Sequence, residues 1–337
     1  MTETLKIIIP MAGWGTRMRP HTWSKPKPLV GVAGKPSFDH LMDMFQTLPA
    51  RNNVEFIFVI GPFLGEQIPV YVRKFYPKIK AHFVVQEEMN GQSQTIWLAR
   101  DLVSGPTMVI FSDTLLETDF SFLADEKSDG VAWVKAVPDP RRFGVAVLNP
   151  DGGIQHLIEK PQSMENNLAV VGCYYFKKGE DLVAAVEEQM KRGVQLKGEY
   201  FLADAINILL EKGAHLRTLS VDVWLDTGTI EATLETNRYL LDHGRDNSAV
   251  AAKRKDVTII PPVFIHPSAK VKTSVIGPHV SISANCEIDR SVISNSILDE
   301  GAVVSQSVLT GSFIGRNARV ESRPNTLNIG DNSSITV

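Results

Sequence analysis

The chain has 337 residues, of which 43% are hydrophobic and 22% are charged, and its formal net charge is −3. This length and composition predict a globular protein with one large domain and a smaller one, and the slightly negative charge argues against a nucleic acid partner. Because there is no signal-peptide pattern, no apolar stretch of membrane-spanning length and no disulfide framework from the distant Cys173 and Cys286, we expect a cytoplasmic protein with no membrane partner.

The first two-thirds of the chain alternates apolar segments of strand length with helical patterns. The expected strands are 6–10, 54–61, 81–86, 107–113 and 130–137. Several of them are apolar throughout, which is typical of strands that are buried on both faces. Residues at helical spacing occupy 39–48, 92–103 and 230–241, and Gly244 can cap the last of these helices. The alternation predicts an α/β domain with a Rossmann-like mixed, mostly parallel sheet.

The first expected strand leads into a glycine-rich loop, PMAGWGTRMRP, at residues 10–20. A dinucleotide-binding loop requires a third small residue where Met18 stands, and Pro20 prevents a helix from starting cleanly there. A phosphate loop of the Walker type requires Ser or Thr after its lysine, but Pro36 follows Lys35. Neither of these two nucleotide-binding motifs therefore fits the loop.

The loop has two remaining interpretations, a solvated surface loop or a triphosphate site. Gly13 and Gly15 would let backbone N–H groups approach phosphate oxygens, and Arg17 offers a planar fork of donors. Lys25 and Lys27 stand two residues apart in a proline-stiffened segment, so one of them can reach the same phosphates. This clustering after a buried strand favours the triphosphate, since open α/β sheets bind ligands at that edge.

Two acidic residues stand where a metal site could be built. Asp113 ends an apolar strand pattern, and Asp226 follows another strand-like run, just before Thr227 and Gly228. Each would lie at the carboxyl end of a strand, on the ligand side of the sheet. Each can equally be a helix cap or a turn residue, so the pattern alone leaves both roles open.

The last part of the chain shows a different period. Residues 246–257 are polar and aperiodic, which is typical of a linker. Five apolar residues then recur at steps of six, with one step of five: Ile265, Val271, Ile276, Ile282 and Ile288. This hexad period predicts a β-helix in which each hexad supplies one flat side of a coil. The alternative, a β-sandwich, would show two-residue alternation with turn signals about every 8–12 residues.

Residues 13–36, GWGTRMRPHTWSKPKPLVGVAGKP, resemble the signature G-x-G-T-R-x-x-P-x-T-x-x-x-P-K-P-L of the sugar-1-phosphate nucleotidylyltransferases. The resemblance implies a catalytic domain at 1–245, a linker at 246–257 and a small left-handed β-helix of hexapeptide repeats at 258–337. It also implies the reaction, in which an oxygen of a sugar-1-phosphate attacks the α-phosphorus of a nucleoside triphosphate and pyrophosphate leaves.

The family resemblance assigns roles to individual residues. Arg17 and Lys27 would be catalytic, and Asp113 and Asp226 would bind Mg²⁺ as the cofactor. The nucleotide-binding residues would be Ala12, Gly13, Gly15, Thr16, Gln86 and Gly91. The sugar-phosphate-binding residues would be Gly144, Glu159, Lys160 and Val170.

The resemblance leaves the substrates open. We expect dTTP or UTP with glucose-1-phosphate. However, residues 92–95 replace a Leu/Ala-rich run that many members have, and Gly31 stands where many thymidylyltransferases carry proline. Two alternatives are a mannose-1-phosphate guanylyltransferase or another choice of base and sugar, and a non-catalytic regulatory subunit that binds a nucleotide sugar.

The expected β-helix carries two histidines, His266 and His279, each beside a proline. Some bifunctional relatives use a histidine of such a domain for acyl transfer. The few coils and the neighbouring prolines favour turn residues instead. We expect the β-helix to serve assembly of a homo-oligomer, because its flat faces and exposed last coil can pack against another subunit.

Overall fold

The computed structural model describes residues 3–49 and 53–322 of the chain. Among these, residues 3–30, 36–49 and 53–232 form one compact unit, here called the sheet unit, and residues 31–35 and 233–322 form a second, the repeat unit. None of the helices in the described residues has the length and apolar character that crossing a membrane requires.

Thirteen strands and six α-helices occupy the described residues up to Leu240. The strands are β1 (Leu5–Met11), β2 (Gly31–Val32), β3 (Lys35–Pro36), β4 (Val54–Ile60), β5 (Lys80–Val85), β6 (Thr107–Ile110), β7 (Thr114–Leu116), β8 (Gly130–Ala136), β9 (Gly144–Leu148), β10 (Ile154–Glu159), β11 (Leu168–Phe176), β12 (Leu216–Ser220) and β13 (Trp224–Asp226). The helices are α1 (Ser37–Met44), α2 (Gln67–Phe75), α3 (Gln92–Leu98), α4 (Gly179–Arg192), α5 (Leu202–Glu211) and α6 (Ile230–Leu240).

The main sheet of the sheet unit is mixed, as the alternating pattern predicts. Its order is β10-β9-β11-β6-β1-β4-β5, and β8 joins β11 to β12. Strands β6, β1, β4 and β5 run parallel, whereas β11 runs antiparallel to β6, β8 and β9. The expected strand at 107–113 is shorter than predicted, because Thr114 N–H donates to the carbonyl of Phe111 and turns the chain after Ile110.

The two faces of this sheet bury separate cores. In β1, Ile7 and Ile9 face one cluster together with Phe38 of α1, whereas Ile8 faces the other cluster together with Ile96 of α3. The three isoleucines are fully buried, and burying such a side chain is worth about 1.5–3 kcal/mol. Burial on both faces explains why the strand lacks the polar alternation of a half-exposed strand.

The repeat unit is a parallel β-helix with three flat sides. Its strands are β14 (Val257–Ile259), β15 (Val263–Ile265), β16 (Lys270–Lys272), β17 (Ser274–Ile276), β18 (Val280–Ile282), β19 (Glu287–Asp289), β20 (Val292–Ser294), β21 (Ile297–Leu298), β22 (Val303–Ser305), β23 (Val308–Thr310), β24 (Phe313–Ile314) and β25 (Arg319–Glu321). They form three four-stranded parallel sheets in the described part of this unit, each containing every third strand in chain order. The hexad prediction of a left-handed β-helix is confirmed, and its five predicted apolar residues are all buried.

The segment predicted as a linker, 246–257, contains a short helix, α7 (Ser248–Ala251). It packs on β15, where Ser248 Oγ accepts a hydrogen bond from Val263 N–H and Asn247 bonds to both the N–H and the carbonyl of Ile265. The polar residues that made this segment resemble a linker therefore satisfy backbone groups of the first coil. The boundaries 1–245, 246–257 and 258–337 stay a prediction of the domains.

Local contacts involve the two histidines that the sequence places in the β-helix. His266 Nδ1 lies 2.8 Å from Ser268 Oγ, and His279 Nε2 lies 2.9 Å from Asp242 Oδ1. His279 also has a positive φ of 57°, which is typical of a turn. Gly244 has the left-handed conformation expected of it, with φ 88° and ψ 13°.

The alternation of inward and outward side chains in β20 can be tested directly. Ile293 is fully buried, whereas its neighbour Val292 is 45% exposed. Ile293→Ala should lower the free energy of unfolding by about 2–5 kcal/mol, because it removes buried methyl groups and leaves a cavity. Val292→Ala should change it by about 0.5 kcal/mol at most. Urea unfolding followed by circular dichroism measures both, and equal losses in the two variants would contradict this assignment of faces.

Candidate functional site

A cavity of about 390 Å³ opens at the carboxyl ends of β1 and β6 in the sheet unit. This is the edge at which open α/β sheets bind ligands. Nine of the residues singled out from the sequence line it: Ala12, Gly13, Gly15, Thr16, Arg17, Lys27, Gln86, Gly91 and Asp113. The cavity therefore gathers residues from three distant segments of the chain.

The glycine-rich loop is held in one conformation by its own contacts. Gly15 is left-handed (φ 59°, ψ 31°) and precedes a 3₁₀ turn at Thr16–Met18. Its carbonyl accepts hydrogen bonds from Thr22 Oγ1 and from Met18 N–H, and the Met18 side chain is fully buried. A Cβ at Gly13 would meet no atom within 4 Å, so the space beside this backbone is open to a ligand. The fixed loop presents Arg17 and backbone N–H groups to the cavity.

Of the two lysines that the sequence left open, Lys27 lines the cavity and Lys25 does not. Lys27 begins the 3₁₀ turn Lys27–Leu29 and forms an ion pair with Asp113. Burial raises the pKa of the Asp113 carboxyl, but the charge and hydrogen bond of Lys27, with a smaller effect of Arg17, bring it below its usual range. Asp113 is thus a carboxylate that already faces cations.

Asp226 reaches the same place through a second pairing of strands. β13 runs antiparallel to β7 with Asp226 opposite Thr114, and Thr227 N–H donates to the carbonyl of Asp113. Burial, and then the Asp113 carboxylate, raise the pKa of Asp226. Two carboxylates from segments far apart in the chain therefore repel each other here.

Gly228 marks the point where these charges converge. A Cβ on this residue would lie 2.7 Å from Asp226 Oδ1, 3.3 Å from Asp113 Oδ2 and 3.4 Å from Arg17 Nη2. Its own N–H donates to Asp226 Oδ1 at 2.6 Å. Only glycine allows both carboxylates and the guanidinium to approach one backbone position so closely.

The pair of carboxylates fits a magnesium ion. Within residues 3–49 and 53–322, no group of three or more His, Cys, Asp and Glu side chains is placed to hold a metal. Mg²⁺ is commonly held by one or two carboxylates, with phosphate oxygens and water completing its octahedron. Asp113 and Asp226 match that donor set, and a cation between them would offset their repulsion.

Gln86 and Gly91 line the same cavity, and backbone contacts fix both positions. Gln86 is buried, and its N–H donates to the carbonyl of Ile60 at the end of β4. Gly91 has φ 103°, and a Cβ there would lie 2.5 Å from both the nitrogen and the oxygen of Tyr200. Gly91 is therefore required by the close approach of segment 199–202, and not only by a ligand.

The predicted sugar-phosphate residues lie on neighbouring strands and do not line the cavity. Gly144 of β9 pairs with Glu159 of β10, and Val170 is buried in β11. Lys160 Nζ lies 3.9 Å from the Glu159 carboxylate and 4.3 Å from the centre of the Phe201 ring. The four residues are thus separate from the nine that gather around the cavity.

The carboxyl of Glu159 has a raised pKa. Burial raises its pKa to about 7, Lys160 opposes this rise, and the carboxylates of Asp204 and Glu199 add to it. Glu199 also lines the cavity, so its charge acts on both groups of residues. Sequence reasoning missed Glu199 because no motif surrounds it. Its position depends on hydrogen bonds of the Tyr200 backbone to Asn90 and Ser93.

Comparison with known proteins gives matches over both units. The profile of the family Nucleotidyl transferase matches residues 6–243, and that of the GMPPB C-terminal domain matches residues 259–335. The chain is 26% identical to a glucose-1-phosphate thymidylyltransferase of Streptomyces griseus over 99% of both chains. It is 35% identical to the bifunctional protein GlmU of Methanocaldococcus jannaschii, over 75% of this chain and 58% of that protein.

A solved structure shares the fold. It is that of a UDP-glucose pyrophosphorylase complexed with UDP-glucose, with a TM-score of 0.61 and 20% identity. The match covers 71% of this chain and 99% of that one. At this level of identity the likeness shows the architecture alone.

The raised pKa of Glu159 predicts a pH-dependent stability. In the unfolded chain this carboxyl has its ordinary pKa of 4.5, and in the folded protein a pKa of about 7. The stability contributed by the protonated form is complete below the unfolded pKa and is lost as the pH rises through about 7. Glu159→Gln cannot ionise. Its free energy of unfolding, relative to that of the native chain, should therefore rise by up to about 3 kcal/mol when the pH is raised from about 5 to about 8.5.

Glu126→Gln is the matched control for this measurement. Burial raises the pKa of Glu126, but hydrogen bonds from Arg217 and Ser128 outweigh it and hold the pKa at about 2. The effect of Glu126→Gln on the free energy of unfolding should therefore be the same at about pH 5 and at about pH 8.5. Urea unfolding at each pH measures the difference, and a Glu159→Gln effect that is equally constant would contradict the assigned charge state.

Proposed function

Since the chain belongs to the nucleotidyl transferase family, we propose that it transfers the nucleotidyl group of dTTP or UTP to glucose-1-phosphate. The observation that carries this proposal is the convergence of Arg17, Lys27 and two carboxylates on one cavity beside a glycine-rich loop. The choice of base and sugar is supported by the thymidylyltransferase relative, which matches along the whole chain.

The reaction joins two anions that repel each other. An oxygen of the sugar-1-phosphate forms a bond to the α-phosphorus, and the bond from that phosphorus to the oxygen bridging to the β-phosphate breaks. The pyrophosphate formed carries the electron pair of the broken bond. Such a displacement needs alignment of the reactants and neutralisation of charge more than covalent help. Arg17 and Lys27 supply positive charge where the triphosphate would lie.

Asp113 and Asp226 would hold Mg²⁺ in this proposal. When bound, the ion supplies a Lewis acid that neutralises charge on the phosphoryl oxygens. The chain's own part is to keep the two carboxylates close, through the β7–β13 pairing and the small size of Gly228. Lys27 keeps Asp113 ionised and therefore ready to bind a cation.

The strands β9, β10 and β11 would bind the second substrate. Lys160 offers a point charge for the phosphate of the sugar-1-phosphate, and Glu159 offers oxygens for the sugar hydroxyls. Gly144 and Val170 would contribute backbone groups. Because the pKa of Glu159 is about 7, its carboxyl can donate as well as accept a hydrogen bond near neutral pH.

A non-catalytic regulatory subunit of the same fold is the alternative to an enzyme. Such a protein would not need two carboxylates and a lysine at the nucleotide cavity. In this chain Lys27 and Asp113 line the cavity, and Asp226 lies against Gly228, which also lines it. The presence of these groups therefore favours catalysis. The homo-oligomer, its assembly through the repeat unit and the cytoplasmic location stay predictions.

Release of pyrophosphate over a grid of substrates tests the proposal. The grid combines ATP, CTP, GTP, UTP and dTTP with glucose-1-phosphate, mannose-1-phosphate and glucosamine-1-phosphate, in the presence of Mg²⁺. We expect the highest kcat/KM for dTTP or UTP with glucose-1-phosphate. A preference for GTP with mannose-1-phosphate would instead identify the guanylyl reaction. Folded protein with no turnover in any combination would reject the enzyme in favour of the regulatory subunit.

Asp226→Asn tests the metal site. The substitution keeps the size of the side chain and an oxygen for Gly228 N–H, but it removes one charge from the pair. We expect kcat to fall roughly a hundredfold or more, because several kcal/mol of transition-state stabilisation depend on the ion. Asp222→Asn, at an exposed residue of the same segment, should leave kcat unchanged. A fully active Asp226→Asn protein would rule out this carboxylate as a ligand.

A further inference from the structure

The amide of Gln86 has a defined orientation in the cavity wall. Its Nε2 donates to Gln94 Oε1 at 2.8 Å and to the carbonyl of Gly91 at 3.4 Å. Both N–H bonds of the amide are thus directed at protein acceptors. The carbonyl oxygen, Oε1, is the polar atom of this side chain that is left to receive a hydrogen bond from a ligand.

Gln94 determines this orientation because its own amide cannot reverse. Gln94 Oε1 also accepts a hydrogen bond from the backbone N–H of Asn90 at 3.1 Å, and a backbone N–H can only donate. The oxygen of Gln94 must therefore face Asn90 and Gln86 together. If Gln86 rotated by half a turn, its carbonyl oxygen would face the oxygens of Gln94 and Gly91, and two acceptors would repel each other.

Segment 199–202 holds the Gln94 side of this arrangement in place. Tyr200 N–H donates to the carbonyl of Asn90, Ser93 N–H donates to the carbonyl of Tyr200, and Gln92 Oε1 accepts from Leu202 N–H. These bonds fix the start of α3, where Gln94 lies. The direction in which Gln86 presents its oxygen is consequently built into the folded chain before any nucleotide arrives.

We propose that Gln94 is a positioning residue that makes Gln86 an obligatory hydrogen-bond acceptor, and thereby selects nucleotides whose base carries an imino N–H. Uracil and thymine donate from N3, and guanine donates from N1, whereas cytosine and adenine have acceptor nitrogens at those positions. This inference rests on the proposed function in placing the base against Gln86. It adds the physical reason for the choice among bases.

UTP and CTP are the sharpest pair for a test. They have the same size, sugar and charge, and they differ on the pairing edge in the group at position 4 and in whether N3 donates or accepts. A site built to receive an N–H rejects the analogue that lacks it, because a buried acceptor is then left unpaired or faces another acceptor. The native protein should bind UTP at least about tenfold more tightly than CTP.

Gln94→Met removes the acceptor while keeping the length of the side chain. Gln86 is then free to reverse and offer its N–H groups to cytosine, so the ratio of the two dissociation constants should fall to about threefold or less. Gln94→Glu is the matched control, since a carboxylate oxygen still accepts from both Asn90 and Gln86. That variant should keep the native ratio even if it binds both nucleotides more weakly.

Isothermal titration calorimetry measures these ratios independently of turnover. UTP or CTP is titrated into the full chain in the presence of Mg²⁺. If Gln94→Met only damaged the structure, it would weaken the binding of both nucleotides equally and leave the ratio of their dissociation constants unchanged. That result would overturn the proposal. Equal affinity of the native protein for CTP and UTP would overturn it too. Selective binding without pyrophosphate release would instead reject the proposed enzyme and leave the role of Gln94 standing.

Discussion

The central constraint in this structure is the repulsion between Asp113 and Asp226, which lie half-buried and close together at the ligand edge of the sheet. Burial and mutual repulsion disfavour two carboxylates in this position, as the raised pKa of Asp226 shows. The β7–β13 pairing brings the two residues together, and Gly228 leaves room for both beside Arg17. Lys27 and Arg17 offset part of the negative charge. A pair held in this way is suited to a cation and an anionic ligand, because their binding completes the neutralisation.

Local sequence patterns predicted the parts of the molecule that depend on short-range regularity. The apolar run of β1 predicted a strand buried on both faces, and the hexads from Ile265 predicted the β-helix, which the structure confirms. The family expected from the loop signature is confirmed by the match over residues 6–243. Each of these inferences uses residues within a few positions of one another, where the period of the side chains directly reflects the backbone.

Contacts between distant segments could not be predicted in the same way. The sequence placed Asp113 at a strand end, yet the strand ends at Ile110 and a turn carries Asp113 to the cavity. Glu199 and Gln94 have no motif around them, and their positions follow from the hydrogen bonds of Tyr200 and Asn90. Burial raises the pKa of Glu159, and Asp204 and Glu199, which are far away in the chain, add to the rise. Only the folded topology gives these proximities.

Trp14, between the two glycines of the loop, is explained by such a proximity. β1 and β4 pair in parallel with Met11 opposite Ile60, so the loops that follow them begin at the same edge. A Cβ at Gly61 would lie 2.5 Å from the carbonyl oxygen of Ala12, which shows how closely the two loops approach. On their outer side, the rings of Trp14 and Phe63 stack with centroids 5.8 Å apart. The tryptophan therefore fastens the glycine-rich loop to its neighbour, and the loop can expose Gly13 to a ligand without losing its shape. Preorganisation of this kind spares the bound state the cost of ordering a flexible loop.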